Sequence, residues 1–363
     1  MSASVAAYWR DLASGKRNDL LAGLVRALLI PPSLGYSLFQ RLRAWLYRAG
    51  VLSTKRLPRP VISIGNISVG GTGKTPVTAY IARLLLELGL RVAVLSRGYG
   101  GTCEGQMIVV SDGNEIFFSA RECGDEPFLL AKAIPGLMVV IGPDRHAAGL
   151  FAMERLNPDI FLLDDGFQHL RLHRDLNILL LDYALPFGNG WALPAGLLRE
   201  SKRAAERADL VIHTRCPDGA ASRTVIHDKP FLTAYHRLLE ARPLLGTQPV
   251  KFDLLRGSRI LAFSAIAEPE AFYAGLREQG LTIVQTLSFP DHASYDEAQL
   301  AELTDAILDC RAEYTLTTEK DGVKLKGLPP EISKITMVAR LDIEIHDSFR
   351  LSDMIRNLLQ KLR

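Results

Sequence analysis

Cysteine is scarce in this chain: Cys103, Cys123, Cys216 and Cys310 are the only four in 363 residues. None belongs to a CxxC pair or a Cys/His cluster, which argues against a zinc site and a disulfide framework. Such usage suits a reducing, cytosol-facing compartment. Excess charge of one sign is also lacking. The net charge is +3, too small for composition to indicate a nucleic-acid partner. Glycine and proline, at 29 and 19 residues, are near background, so collagen-like and low-complexity organisation is excluded. No internal repeat is visible. A long apolar run is missing from the first 58 residues too: their longest uncharged stretch, 27–40, is interrupted by Pro31 and Pro32. A spanning helix needs about 20 apolar residues, so the run makes a poor transmembrane segment, and its scattered basic flanks are unlike a secretory signal.

What is present is an ordinary globular composition, 48% apolar and 23% charged, over a length that suits two domains. The charge is uneven. Residues 1–58 carry nine basic side chains and two acidic ones, an excess of seven, leaving the remainder at −4. Within this leader Leu20, Leu21, Leu24, Val25, Leu28 and Leu29 recur at helical spacing. Pro31 and Pro32 are expected to end that helix. A second segment sets Phe39, Leu42, Trp45 and Leu46 against Arg41, Arg43 and Arg48. Two readings follow. The helices pack on the protein's own core, or they lie in a lipid interface with arginines on anionic headgroups.

From residue 59 short apolar runs alternate with helical periods. Strands are expected at 60–65, 91–96, 137–142, 159–165, 177–182 and 209–214, with helices at 77–88, 126–134 and 145–156 between them. Runs of Val, Ile and Leu without polar alternation belong to strands covered on both faces. The pattern predicts a doubly wound, mostly parallel α/β domain over 59–225. Residues 215–257 read as a connection with a possible strand pair near 231–235. Strands at 259–266, 281–287, 315–318 and 334–339, with helices at 269–279, 296–310 and 349–362, predict a smaller α/β lobe within 226–363.

The strongest local signal is SVGGTGKT, Ser68, Val69, Gly70, Gly71, Thr72, Gly73, Lys74 and Thr75, between a strand and a helix. It matches the phosphate-loop pattern GxxxxGK[ST] except that Ser68 stands at the first glycine. Glycines let successive amides turn towards phosphate oxygens, and the helix adds its positive end. Lys74 would reach the β- and γ-phosphates of ATP and Thr75 would ligate Mg²⁺. Asp164 and Asp165 close an apolar strand at the edge where such sheets bind ligands, and carboxylates there can hold Mg²⁺. The plainer reading of that pair is a strand-ending Asp-Gly turn. Asp125 and Glu126 start a helix, where an N-cap is the plain alternative. Asp144 is a possible cap ahead of Arg145 and His146. Arg199 and Glu200 follow a glycine turn, and His292 lies in a loop, where histidine is usually solvated.

Taken together, GNISVGGTGKTP, LSRGYGG, GDEP, DDGFQH, LPAGLLRE, FPDHASY and TTEKDGVKL resemble, in order, the tetraacyldisaccharide 4′-kinase (lipid A 4′-kinase) family. They run from Gly65 to Leu325. The resemblance implies a phosphate-loop fold and transfer of the γ-phosphate of ATP, with Mg²⁺, onto the 4′-hydroxyl of a tetraacylated glucosamine disaccharide 1-phosphate. It implies a peripheral place on the cytoplasmic face of the bacterial inner membrane, with anionic lipids and the lipid acceptor as partners, and no nucleic acid or protein partner. By the same resemblance Asp164, Asp165 and Glu200 sit near Mg²⁺, and Gln168 and His169 beside the moving phosphate. Asp125 and His292 form a catalytic dyad, and Arg145 and Arg199 neutralise phosphate. The chain has Leu197 and Ser201 where many relatives are expected to carry a proline-containing form of that segment. The competing reading from another class is a membrane-recruited phosphate-loop ATPase switch with no lipid acceptor; a non-enzymatic nucleotide-binding module is a third.

Overall fold

The computed structural model describes residues 3–17, 19–220, 225–291 and 293–361. The first six strands are β1 (Val61–Asn66), β2 (Val92–Ser96), β3 (Ile108–Asp112), β4 (Met138–Ile141), β5 (Ile160–Asp164) and β6 (Leu176–Asp182). β7 (Leu210–Thr214), β8 (Phe231–Pro243), β9 (Arg259–Ser264), β10 (Thr282–Ser288), β11 (Tyr314–Thr318) and β12 (Thr336–Ile345) follow. All twelve join in one sheet of order β10-β9-β11-β12-β8-β7-β6-β1-β5-β2-β4-β3. Only β3 on β4 and β12 on β8 pair antiparallel. The expected strands of the first half are therefore present in a mostly parallel α/β sheet. β3, which closes on the polar Ser111 and Asp112, was not expected.

The sheet is covered on both faces, as its unbroken apolar strands require. Ile62, Ile64, Val94, Ile160 and Leu162 pack under the helix Lys74–Glu87, through its Val77, Ile81 and Leu85. The alternate residues Val61, Leu95, Phe161 and Leu163 pack on the other face against Ala148 and Ala152 of the helix Arg145–Leu156. The second half has its own cores around Phe272, Tyr273 and Leu276 and around Phe263, Phe289 and Tyr295. The two halves meet at β8, a single strand where a pair had been expected. It runs parallel to β7 and antiparallel to β12. A register slip between Arg340 and Leu341 marks a bulge in that pairing, which bends and twists the ladder.

The leader differs from expectation. Ala3–Ser14 is already helical, and Leu12 and Ala13 are buried. Leu20–Arg48 is one helix with both prolines inside it. Asp19 caps it by accepting from the Ala22 amide. The proline φ is compatible with a helix, so the cost is a missing donor and local crowding. A fixed point follows at once: Ser33, fully buried, donates to the Ala192 carbonyl at 2.7 Å. The helix is roughly 43 Å long at 1.5 Å per residue. By length and composition it could cross a membrane, which corrects the reading of a run cut short by prolines. Leu20, Leu24, Leu28, Leu34, Leu38, Leu42 and Trp45 are all exposed along it.

Candidate active site

The loop 68–75 follows β1 and turns into the helix Lys74–Glu87. Asn66, at the end of β1, donates from Nδ2 to Thr72 Oγ1 at 2.8 Å, and Thr214 Oγ1 donates to the Thr72 carbonyl at 2.9 Å. Thr72 is thereby spent on holding the loop. The Val69 amide donates to Leu197 at 2.7 Å, so the 193–201 segment buttresses the other side. Gly70 and Gly73 have φ of +119° and +74°. At Gly73 a Cβ would also lie 2.7 Å from His236 Nε2, so both conformation and space require glycine there. No side chain caps the helix that begins at Lys74; its first amides and its dipole are left for an anion.

Lys74, Asp165 and Arg199 meet at this loop. Arg199 contacts Asp165 Oδ2 at 2.8 Å and Lys74 Nζ lies 3.8 Å from Oδ1. That Oδ1 is buried and accepts no hydrogen bond. Asp164 ends β5, is 2% exposed, and accepts from Thr78 Oγ1 at 3.1 Å. Burial, and then the charges of Glu126 and Asp165, push its pKa up to about 7, against Lys74 and Thr78. Thr75 lines the same cleft of about 1170 Å³. Among the described residues no three His, Cys, Asp or Glu side chains converge as a metal cage. Two carboxylates, one of them with an orphaned oxygen, and a hydroxyl nevertheless suit Mg²⁺, which keeps waters and phosphate oxygens as its other ligands.

Gln168 ties these groups together. Its Nε2 donates to the Asn66 carbonyl at 2.6 Å and its Oε1 accepts from Arg199 at 3.4 Å. His169 lines the cleft with a buried, unpartnered Nε2; burial and then Arg145 push its pKa down to about 4, so the ring is neutral at pH 7. Arg145 is buried and donates to the Gly142 carbonyl at 2.7 Å. Burial and then Arg97 lower its pKa to about 10, which leaves it charged. Asp144 is the helix cap, accepting from His146 and Ala147. Asp125 is not a cap: Gly124 holds that position and Asp125 is the first helical residue. Its carboxylate pairs with Lys324 at 2.9 Å, and Glu126 with Lys320 at 2.6 Å. The acidic helix start of the first half thus faces the TTEKDGVKL segment of the second. His292 lies outside the described residues.

Glu200 is a correction. It is 3% exposed, does not line the cleft, and both its oxygens are held by Arg207 at 2.8 Å. A carboxylate already paired bidentately has no geometry left for a cation at the loop. Arg199, its neighbour in sequence, points to the cleft instead. The irregular segment turns one of these side chains to the loop and the other to Arg207, so adjacency in sequence does not bring both to the site.

A family model for tetraacyldisaccharide-1-P 4′-kinase matches residues 25–360. The chain belongs to this family. Among curated relatives, the tetraacyldisaccharide 4′-kinase of Pelobacter propionicus is 58% identical, covering 99% of this chain and all of the relative. That of Geobacter metallireducens is 52% identical over 94% of this chain and all of the relative. A solved structure, the "apo" form of LpxK from Aquifex aeolicus in complex with ATP, superposes with a TM-score of 0.77 at 34% identity. It covers 92% of this chain, which covers 99% of it.

In this family member three residues stand out among the cleft residues that carried no role in the sequence reading. Arg97, from LSRGYGG, lines the cleft beside Arg145. Lys320, from TTEKDGVKL, reaches Glu126 across the cleft. Arg215 holds the Gly71 carbonyl of the loop and bridges to Asp182 at 3.3 Å and Glu268 at 2.6 Å. Its signal was available: an arginine directly after the C-terminal end of a parallel strand lies at the ligand edge.

Proposed function

We propose that this chain transfers the γ-phosphate of ATP to the 4′-hydroxyl of a tetraacylated glucosamine disaccharide 1-phosphate. The observation that carries the proposal is the meeting, in one cleft, of a glycine-rich loop, the Lys74–Asp165–Arg199 cluster and a carboxylate, Asp125, from a separate helix start. Membership of the 4′-kinase family supplies the acceptor.

Phosphoryl transfer needs position and charge neutralisation. The loop amides and the helix start take the phosphate oxygens, Lys74 neutralises the β- and γ-phosphates, and Arg145 and Arg199 bring further positive charge. Asp164, Asp165 and Thr75 would hold Mg²⁺, which neutralises charge on the phosphates when bound. Asp125, with His292, takes the proton of the acceptor hydroxyl as its oxygen bonds to phosphorus. The bond from that phosphorus to the β-phosphate oxygen breaks, and ADP leaves. The leader rests its exposed apolar face in a bilayer, on the cytoplasmic side, so that a lipid acceptor reaches the cleft from the membrane.

Labelled ATP, with and without the acylated disaccharide, followed by lipid extraction, tests this. Label in the lipid supports the kinase. Free phosphate at the same rate with or without the lipid would instead assign a nucleotide-hydrolysing switch.

A further inference from the structure

A second cavity of about 250 Å³ lies between the C-terminal part of the leader helix and the 3₁₀ turn Lys202–Arg207. It shares no lining residue with the phosphate cleft. Its charged wall is Arg41 and Arg48 from the helix and Glu200, Arg203, Glu206 and Arg207 from the body. Arg207 is neutralised by Glu200. That leaves three guanidinium groups against the single carboxylate of Glu206. Among the described residues none of the three has an ion pair, and all are exposed.

The position of this groove matters as much as its charge. Leu34, Leu38 and Leu42 are spaced four apart, and Trp45 follows three on, all more than half exposed. That spacing forms one stripe along the helix, and Trp45 brings the stripe to the groove's edge. A bilayer covering the stripe sets the groove at headgroup depth, where tryptophan and arginine are both favoured. Guanidinium groups bind phosphate oxygens in paired, planar geometry.

We propose that this groove binds the phosphodiester headgroup of an anionic phospholipid, clamped between the leader helix and the body through Arg41, Arg48 and Arg203. The proposal rests on the membrane-docking reading above. It adds that lipid contact is shared by the body, so that a bound headgroup fixes the leader against the kinase domain. On its other flank the same helix reaches the cleft, where Arg43 donates to the Gln168 carbonyl at 3.4 Å.

The test is sedimentation of the full chain with phosphatidylcholine vesicles, with and without phosphatidylglycerol. Wild type is compared with R203Q, R203E and K251E; Lys251 is an exposed cation of the second half. Wild type should bind the anionic vesicles more tightly. R203Q should lose about fivefold of that preference, and R203E more, while both still bind phosphatidylcholine. K251E should keep the preference. Equal losses in R203E and K251E would mean diffuse electrostatics and overturn the groove, as would an unchanged preference in both Arg203 variants. Wild type that binds neither vesicle would defeat the docking reading itself. Phosphatidylcholine vesicles doped with the acceptor form a third arm: recruitment by the acceptor that is lost in R203Q would give the groove to the acceptor's phosphate instead. Melting curves check that the variants fold, and R48Q replaces Arg203 variants that do not.

Discussion

Lys74 and Asp164 show how single side chains divide the work of the cleft. Lys74 sits where the loop becomes a helix and is balanced only loosely by Asp165. Lys74→Ala should lower kcat by a factor equivalent to about 2–4 kcal/mol of transition-state stabilisation while leaving the melting temperature nearly unchanged. Steady-state kinetics beside thermal melts check both halves of that statement. Asp164 is different, because its pKa is raised to about 7 by burial beside other carboxylates. Between its unfolded value near 4 and about 7 the folded chain keeps a proton that the unfolded chain releases. Its contribution to stability therefore falls as pH rises through that window. Asp164→Asn keeps an acceptor for Thr78 and removes the titration. The variant should gain stability over wild type from pH 5 to pH 8, by on the order of a few kcal/mol at most, and should lose activity. Parallel melting temperatures of the two proteins across that range would contradict the raised carboxyl. That Gly73, Asp164 and Asp165 line one cleft was legible from residue type and position, the glycine in the loop after β1 and the aspartates at the end of β5. The loss of Glu200 to Arg207 was not, because which face of an irregular segment a carboxylate takes depends on partners distant in space.

At the scale of elements, the fold was readable where apolar runs were pure and obscure where charge was paired. β1, β5 and β6 are nearly all buried and were plain. β8 was not. Its Arg237 bridges Asp218 and Glu344, and its Glu240 pairs with Arg242 and Arg340, so a long strand looks like a polar connection until its neighbours are known. The leader helix was misread in the opposite direction, since two prolines outweighed the tertiary contacts that carry the helix through them. Ser33 is the most specific of these contacts. Ser33→Ala leaves the Ala192 carbonyl with the Gly196 amide as its remaining donor and should cost about 1 kcal/mol. The expected readout is a lower melting temperature with unchanged nucleotide affinity. A variant as stable as wild type would mean that the helix is held by its apolar contacts alone.

Across the whole molecule, the cleft is bounded by both halves of one sheet. Asp125 to Lys324, Glu126 to Lys320, Arg83 to Asp342 and Arg215 to Glu268 all cross between them. None of these pairs follows a local rule, which is why the motifs could be read in order but their meeting could not. The proposed dyad belongs to this scale. Asp125→Ala and His292→Ala should each depress kcat strongly with ATP binding nearly intact, and the double variant should be little worse than the weaker single one, because groups acting as a unit are non-additive. Full turnover in His292→Ala, or simple additivity, would remove the pairing.

Phosphate transferred from ATP should reach one particular hydroxyl of the lipid. A ³¹P–¹H correlation spectrum of the product isolated after incubation with ATP, Mg²⁺ and the acceptor measures this directly. A new phosphomonoester signal coupled to the proton at the 4′ carbon is expected beside the existing 1-phosphate, and is expected to be absent with Lys74→Ala. A product with the 1-phosphate alone, accompanied by ADP and inorganic phosphate, would contradict it.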